Sequence, residues 1–227
     1  MKKIASHLST WLIISSLLLL PLSVFANDLN APQKVIKDLS DQIYQQLNDN
    51  KEELLNERQN IFTLVDTVIE PRLDVNKISR LVLGKYWRTA TEEQKEQFQK
   101  EFKALLINTY ATAFNEFTEW TIHFTPMKLP SEKKRVIVKS EIIQPSKPPV
   151  AVNYRMALNQ DGEWKAYDVI IEGISMVTNY KGSFASSIKE SGGLDNVIRD
   201  LVAKNKKSLE EIVTPESSNS QNNTQAS

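Results

Sequence analysis

The side chains of this sequence that could take part in chemistry are few, and none stands in a catalytic motif. The 227 residues include no cysteine and two histidines, His7 and His123. Without cysteine the chain has no disulfide, thiolate metal ligand, thiol nucleophile or lipidated N-terminal cysteine. It also lacks the GxSxG, GxxxxGK[ST], HExxH and GxGxxG patterns, which are typical of serine hydrolases, P-loop proteins, zinc proteases and dinucleotide-binding proteins.

His123 is the only histidine beyond the first ten residues. A Ser-His-Asp triad would have to use it, and no serine stands in the sharp turn that such a nucleophile needs. A metal site would need His123 together with carboxylates scattered along the chain. We therefore favour a structural role for His123 and predict no metal site.

Tyr167 and Asp168 are the other candidates for chemistry. A carboxyl group beside aromatic rings in the cavity of a bent sheet can act as a general base. Alternatively, Asp168 pairs with an arginine of the neighbouring strand, such as Arg155, or caps a loop. The second interpretation is the one that we favour.

The balance of charge argues against a nucleic-acid-binding protein. The chain carries 28 Lys+Arg and 28 Asp+Glu, whereas nucleic-acid binding needs a dense basic face. Basic residues cluster at Lys133–Arg135 and at Lys204, Lys206 and Lys207. We interpret both clusters as solvated surface, and contact with anionic lipid head groups or with an acidic partner is the alternative.

The N-terminus is typical of a secretory signal peptide. Met1–Lys3 is basic, Trp11–Leu20 is apolar, and Ser23–Ala26 supplies small residues before a cleavage site. The apolar run is shorter than the ~20 residues that span a bilayer. We predict a signal peptide over residues 1–26, cleaved after Ala26, and a periplasmic location. An uncleaved anchor is the alternative.

The remainder is predicted to be one domain over residues 27–213, followed by a disordered polar tail over residues 214–227. Caps, glycines and apolar stripes at helical spacing mark the helices. Helices are predicted after Asn30, from Asp74 to Gly84, from Thr91 to Phe117, within Ile174–Ile188, and after Gly193.

Between these helices the apolar residues alternate as they do in strands. The alternating segments are Trp120–Thr125, Arg135–Ile142, Val150–Leu158 and Trp164–Glu172. The sequence therefore predicts an α+β fold, in which helices pack on a bent antiparallel sheet of about four strands that ends at Gly173.

Several predicted strands are apolar on both faces. Ile137 is expected on the other face of its strand from Val138, and Val169 and Ile171 on the other face of theirs from Ala166. Such strands are compatible with a plain core that is covered on both sides. They are equally compatible with an internal apolar cavity, and the pattern alone leaves both possibilities open.

Leu83–Thr91 reads LGKYWRTAT, and Gln94 and Phe98 follow it. This segment resembles the LG-x-[YH]-W-[RK]-x-A-[ST]-x-x-Q-x-x-x-F pattern of one family. That family comprises the periplasmic phospholipid-binding proteins of the Mla (maintenance of lipid asymmetry) pathway, also called the MlaC or toluene-tolerance family.

The second half of the chain resembles the same family in the same order. WKAYDV at Trp164–Val169 is followed by EGIS at Glu172–Ser175, and the likeness extends over Ala31–Ser208. One departure is Lys181, which stands where the family commonly has arginine. The planar guanidinium group of arginine, which can donate two parallel hydrogen bonds, is therefore absent at that position.

The resemblance implies a carrier that catalyses no reaction and encloses the acyl chains of a phospholipid between sheet and helices. It implies an outer-membrane lipoprotein–porin complex and an inner-membrane ABC transporter with an MCE-domain subunit as partners. Lipid passing between them would maintain the lipid asymmetry of the outer membrane. The phospholipid would be cargo, and we expect a monomer without a cofactor.

Face alternation, together with the long helix, gives the side chains expected to line the cavity. They are Leu106, Tyr110, Phe114, Val138, Ile142, Val152, Tyr154, Met156, Val169, Ile171 and Ile174. Two alternatives stay open. One is a small cone-shaped α+β enzyme that uses Asp168, Tyr167 or His123, and the other is an envelope adaptor protein with a filled core.

Overall fold

The computed structural model describes residues 29–50, 52, 54, 58–110 and 119–213. The predicted signal peptide, residues 1–26, and the predicted tail, residues 214–227, lie outside the described residues, and both stay predictions. Within the described ranges, no helix is both long enough and apolar enough to cross a membrane.

Six α-helices lie in this described part of the chain. They are α1 (Ala31–Asp49), α2 (Arg58–Leu64), α3 (Val75–Leu83), α4 (Glu92–Tyr110), α5 (Met176–Ser191) and α6 (Leu194–Val213). The α2 helix continues into a π-helical turn, Val65–Ile69, and a 3-10 turn, Glu70–Arg72. Another 3-10 turn spans Tyr86–Arg88.

The α4 helix begins with the capping pair that the sequence predicts. The Thr91 N–H donates to Gln94 Oε1 at 2.9 Å, and the Gln94 N–H donates to Thr91 Oγ1 at 3.2 Å. Its described part ends at Tyr110. The predicted extension to Phe117 falls among residues 111–118, which lie outside the described residues.

The α3 helix also begins and ends as predicted. Asp74 Oδ1 accepts a hydrogen bond from the Lys77 N–H at 3.0 Å. The helix ends at Gly84, whose φ of +56° is in a region that side chains rarely adopt. A Cβ at Gly84 would lie 3.2 Å from Lys181 Cε, so the lysine stem packs where α5 meets the end of α3.

The sheet is an antiparallel meander of five strands in the order β1-β2-β3-β4-β5. The strands are β1 (Thr121–Phe124), β2 (Arg135–Ile143), β3 (Val150–Leu158), β4 (Trp164–Ile171) and β5 (Ile174–Ser175). Two corrections concern the last strand. Gly173 does not end the sheet, and Ile174 begins β5 rather than a helix, because Glu172 and Gly173 adopt positive φ values of 49° and 81° that turn the chain back.

A β-bulge decides which residues of β4 share a face. Val169 pairs with Tyr154, but Ala166, three positions earlier, pairs with Met156. Since directly paired residues lie on the same face, Val169 and Ala166 share one face. Strict alternation wrongly places them on opposite faces, because it does not allow for the extra residue that a bulge inserts.

The face that carries Val138, Tyr154 and Met156, here called the inner face, packs against α1. Ile36 of α1 is buried with Val138 and Met156. A second buried group joins the helices: the Phe98 and Phe184 rings meet edge to face, with centroids 5.1 Å apart. These are two of the four buried hydrophobic clusters of the described residues, here called the sheet–α1 core and the helical core.

Phe98→Ala tests the helical core. Phe98 is completely buried, so the substitution should lower the free energy of unfolding by about 3–5 kcal/mol. Urea denaturation followed by circular dichroism measures the loss. The exposed neighbour Gln97 is the control, since Gln97→Ala should change stability by less than about 0.5 kcal/mol. Equal effects of the two substitutions would contradict this packing.

Candidate functional site

The first candidate site is a cavity of about 210 Å³ between α2, α3 and α4, here called the interhelical cavity. Its apolar lining residues are Ile61, Val65, Ile69, Leu73, Val75, Ile78, Phe102, Leu106, Ile107 and Tyr110. The π-helical turn supplies Val65 and Ile69. A π-helical turn widens a helix and frequently occurs at functional sites, and here it brings two apolar side chains to the cavity wall.

The second candidate site is a cavity of about 170 Å³ between α1 and the inner face, here called the α1–sheet cavity. It is lined by Ile36, Leu39, Ser40, Ile43, Trp120, Ile142 and Tyr154. The Trp120 indole N–H donates to Ser40 Oγ at 2.9 Å. Because this bond uses the polar atom of the indole, the ring can present an apolar surface to the cavity.

The cavity volumes limit what this conformation can hold. An engineered apolar cavity of ~150 Å³ admits benzene, and typical sites for drug-sized ligands occupy ~300–1,000 Å³. At about 210 Å³ and about 170 Å³, each cavity can hold a short piece of hydrocarbon. Neither cavity alone holds two long acyl chains, so a diacyl ligand requires the cavities to widen or to join.

Four of the predicted site residues line these cavities. Leu106 and Tyr110 line the interhelical cavity, and Ile142 and Tyr154 line the α1–sheet cavity. Phe114 lies outside the described residues. The structure thus divides these four between two cavities instead of placing them around one.

The other predicted site residues share the inner face but line neither cavity. Val138, Val152 and Met156 are buried on it, and Val169 and Ile171 join it through their pairs Tyr154 and Val152. At the end of the sheet the apolar surface reaches solvent. Ile171 is 38% exposed and its partner Ile174 is 62% exposed.

Sequence reasoning missed the α1 wall of the α1–sheet cavity and the α2 and α3 walls of the interhelical cavity. Ile36, Leu39 and Ile43 stand at helical spacing, as do Ile61 and Val65, and such stripes predict ordinary core. The stripes were a signal that these helices bury one face. They give no information on how far apart two helices pack, and that separation creates the cavities.

The polar groups of the interhelical cavity are largely neutralised. Lys103 Nζ lies 2.8 Å from Glu70 Oε2 and 3.0 Å from Asp66 Oδ1. Burial lowers the pKa of Lys103, but the hydrogen bonds to Glu70 and Asp66 outweigh burial, so the pKa is raised overall. The Ser79 hydroxyl is buried and has no hydrogen-bond partner among the described residues. The cavity wall therefore offers no unpaired cation that would hold an anionic ligand.

Asp168 is held by structural contacts. Its Oδ2 lies 3.0 Å from Arg155 Nη1 and accepts a hydrogen bond from Ser175 Oγ at 2.6 Å. Its Oδ1 accepts from the Val177 N–H at 3.0 Å. The favoured interpretation, an ion pair with Arg155, is confirmed, and the carboxylate joins β3, β4 and the start of α5.

The three candidates for chemistry do not come together. The Tyr167 ring lies under Lys77 Nζ, 3.8 Å from its centroid. His123 is exposed on β1, three strands away from Asp168 on β4. At ~4.8 Å per strand this is a separation of ~14 Å, too far for a shared acid–base step. In residues 29–50, 58–110 and 119–213 there is also no group of three or more metal-ligating side chains.

An α+β domain with apolar cavities is typical of a protein that binds an apolar ligand. Comparison with known families is more specific. The chain matches the family model described as MlaC protein over residues 37–203. It therefore belongs to the MlaC family, as the sequence resemblance indicated.

Named relatives and one solved structure agree. The toluene tolerance protein Ttg2D of Pseudomonas putida is 28% identical over 169 residues, 74% of this chain and 78% of the relative. The intermembrane phospholipid transport system binding protein MlaC of Haemophilus influenzae is 22% identical over 173 residues, 75% of this chain and 80% of the relative. The phospholipid-binding protein from Ralstonia solanacearum, solved in complex with a phospholipid, is 31% identical with a TM-score of 0.73 and covers 79% of this chain and 99% of its own. The predicted α+β fold is confirmed.

Tyr154→Phe tests the apolar character of the α1–sheet cavity. Burial raises the pKa of Tyr154 to about 12, against ~10 for an unfolded tyrosine. Above pH ~10 the unfolded chain loses this proton while the folded protein keeps it, so stability falls as pH rises toward ~12. Urea denaturation across this range should show a smaller loss for Tyr154→Phe than for wild type. Parallel losses would contradict a buried phenol.

Proposed function

We propose that this chain is a periplasmic carrier that binds a phospholipid by its acyl chains and moves it between the outer and inner membranes. Its role would be to maintain the lipid asymmetry of the outer membrane. The observation that carries the proposal is the likeness to the Ralstonia solanacearum protein in complex with a phospholipid, which this chain matches over 99% of that chain. The two apolar cavities, each large enough for a short piece of hydrocarbon, support the proposal.

Elementary energetics require that such a carrier cover hydrocarbon without holding it too tightly. Exposure costs ~0.8 kcal/mol per CH₂, so two long chains carry a penalty on the order of 25 kcal/mol in water. Apolar walls without charged groups stabilise the acyl chains to an extent similar to a bilayer. The lipid can therefore be released to a membrane. The pairing of Lys103 with Glu70 and Asp66 supports this mode, because no unpaired cation there would trap the phosphate.

The proposed lipid-binding residues follow from their placement. Leu106, Tyr110, Ile142 and Tyr154 would contact acyl chains directly. Ile171 and Ile174 would form an exposed apolar rim. Val138, Val152, Met156 and Val169 would join the wall when α1 moves away from the inner face, and Phe114 stays a prediction.

The rim has a polar edge that suits a boundary between hydrocarbon and water. The Tyr180 hydroxyl donates to the Tyr110 hydroxyl at 3.5 Å, and Tyr110 Oη lies 4.0 Å from Met176 Sδ. Burial, together with Tyr110, raises the pKa of Tyr180. The Tyr180 phenol therefore stays neutral at physiological pH, and the amphipathic rings of both tyrosines can line an entrance.

The proposed partners are the outer-membrane lipoprotein–porin complex and the inner-membrane ABC transporter with an MCE-domain subunit. No cofactor is proposed, and the lipid is cargo. Native mass spectrometry of protein purified without detergent tests the proposal. A bound mass equal to that of a diacyl phospholipid is expected, and a ligand-free mass in every preparation would favour the adaptor with a filled core.

Cavity-filling variants locate the lipid. Leu106→Trp in the interhelical cavity and Ile142→Trp in the α1–sheet cavity should each reduce co-purified phospholipid by at least about threefold, because a bulky ring occupies acyl-chain space. Val202→Trp on the exposed surface of α6 is the matched control. Lipid stoichiometry is measured by native mass spectrometry, and folding by circular dichroism. Wild-type lipid content in a folded Leu106→Trp protein would remove the interhelical cavity from the site.

A further inference from the structure

The face of the sheet opposite α1, here called the outer face, carries a basic surface around an exposed apolar residue. Arg135, Ile137, Lys139 and Glu141 alternate on β2, and alternate residues of a strand share a face. The basic surface is the part of this face from Arg135 to Lys139. Ile137 is 46% exposed. Its direct partner on β3 is Arg155, so cations flank Ile137 along its own strand and across the sheet.

These cations are largely unneutralised. Within residues 29–50, 58–110 and 119–213, neither Arg135 nor Lys139 forms an ion pair with a carboxylate, whereas Arg155 is paired with Asp168. Lys77 of α3 lies near the same face. Burial lowers the pKa of Lys77, Arg135 and Arg80 lower it further, and Asp74 partly offsets them. Lys77 therefore adds a positive charge near Arg135 at this part of the outer face.

The distribution of apolar and charged side chains on the outer face is typical of a protein–protein interface. Interfaces place apolar side chains in a centre and charged groups on a rim, and charge complementarity steers the partner into position. A membrane fits the outer face less well. Surface-binding segments insert Trp, Phe or Leu into the head-group region, whereas here Ile137 is the one large apolar side chain exposed among the described residues of the outer face, and Tyr167 lies beneath Lys77.

We propose that the outer face is a docking surface for a protein partner with acidic side chains, centred on Ile137 and bounded by Arg135, Lys139 and Arg155. This inference deepens the proposed function, because a carrier must dock where lipid is exchanged. The sheet separates the outer face from the inner face and its exposed rim at Ile171 and Ile174. A partner bound on the outer face leaves the rim free.

Site-specific photo-crosslinking tests this surface. Full-length protein with a benzophenone amino acid in place of Ile137 is expressed in the native host, and crosslinked peptides are identified by mass spectrometry. The expected crosslink lies beside Asp or Glu residues of an envelope protein. Arg135→Glu/Lys139→Glu should lower its yield by at least roughly tenfold, and reversing the mapped acidic residues to lysine should restore it.

Matched controls separate docking from folding and net charge. Lys100→Glu/Lys204→Glu changes the net charge equally at exposed sites on α4 and α6, and should leave the crosslink unchanged. Retained phospholipid and circular dichroism should match wild type in both double variants, so failure of the docking surface is distinguishable from failure of lipid binding.

Three outcomes would overturn the proposal. One is a crosslink whose yield stays the same after charge reversal at Arg135 and Lys139. Another is an equal loss of crosslink yield in the control double variant. The third combines two results. The protein binds phosphatidylglycerol vesicles but not phosphatidylcholine vesicles, and the charge reversal abolishes this binding, while position 137 crosslinks to no protein. That result would assign the outer face to an anionic membrane surface.

Discussion

The structure depends on the need to cover the inner face of the sheet. Val138, Val152 and Met156 are buried on this face, and it becomes exposed only near Ile171. An apolar sheet face must be covered by something equally apolar. The α1 helix covers part of it through Ile36, while beside Ile142 and Tyr154 a cavity remains. In the proposed carrier, the acyl chains of the ligand would complete the core that the protein leaves unfinished.

The same reasoning explains why the helices are arranged as a second unit. Phe98, Phe102 and Phe184 pack ring against ring, which gives α4 and α5 a core of their own. In the proposed carrier, the interhelical cavity would therefore open without removing the contacts that hold these two helices together. A filled, continuous core would lose close packing at every step of opening, whereas a divided interior confines that loss to the boundary between its parts.

Local chemistry made the element boundaries and much of the inner face predictable from sequence. Asp74 and the Thr91–Gln94 pair cap their helices as expected, and alternation along β2 and β3 gave the correct faces. The bulge opposite Arg155 was not predictable, because no glycine or proline marks it. The cavity walls escaped prediction for a different reason. A stripe such as Ile61 and Val65 states that a side chain is buried, and does not state whether another side chain or empty space lies opposite.

Asp168 shows that residue type alone leaves two roles open. A carboxylate beside a tyrosine can act as a general base, yet here Arg155, Ser175 and Val177 use its oxygens to fix the turn from the sheet into α5. That turn sets the position of Ile174, which belongs to the proposed rim. The same ion pair holds Arg155 at the border of the outer face. One buried carboxylate therefore supports both surfaces of the sheet.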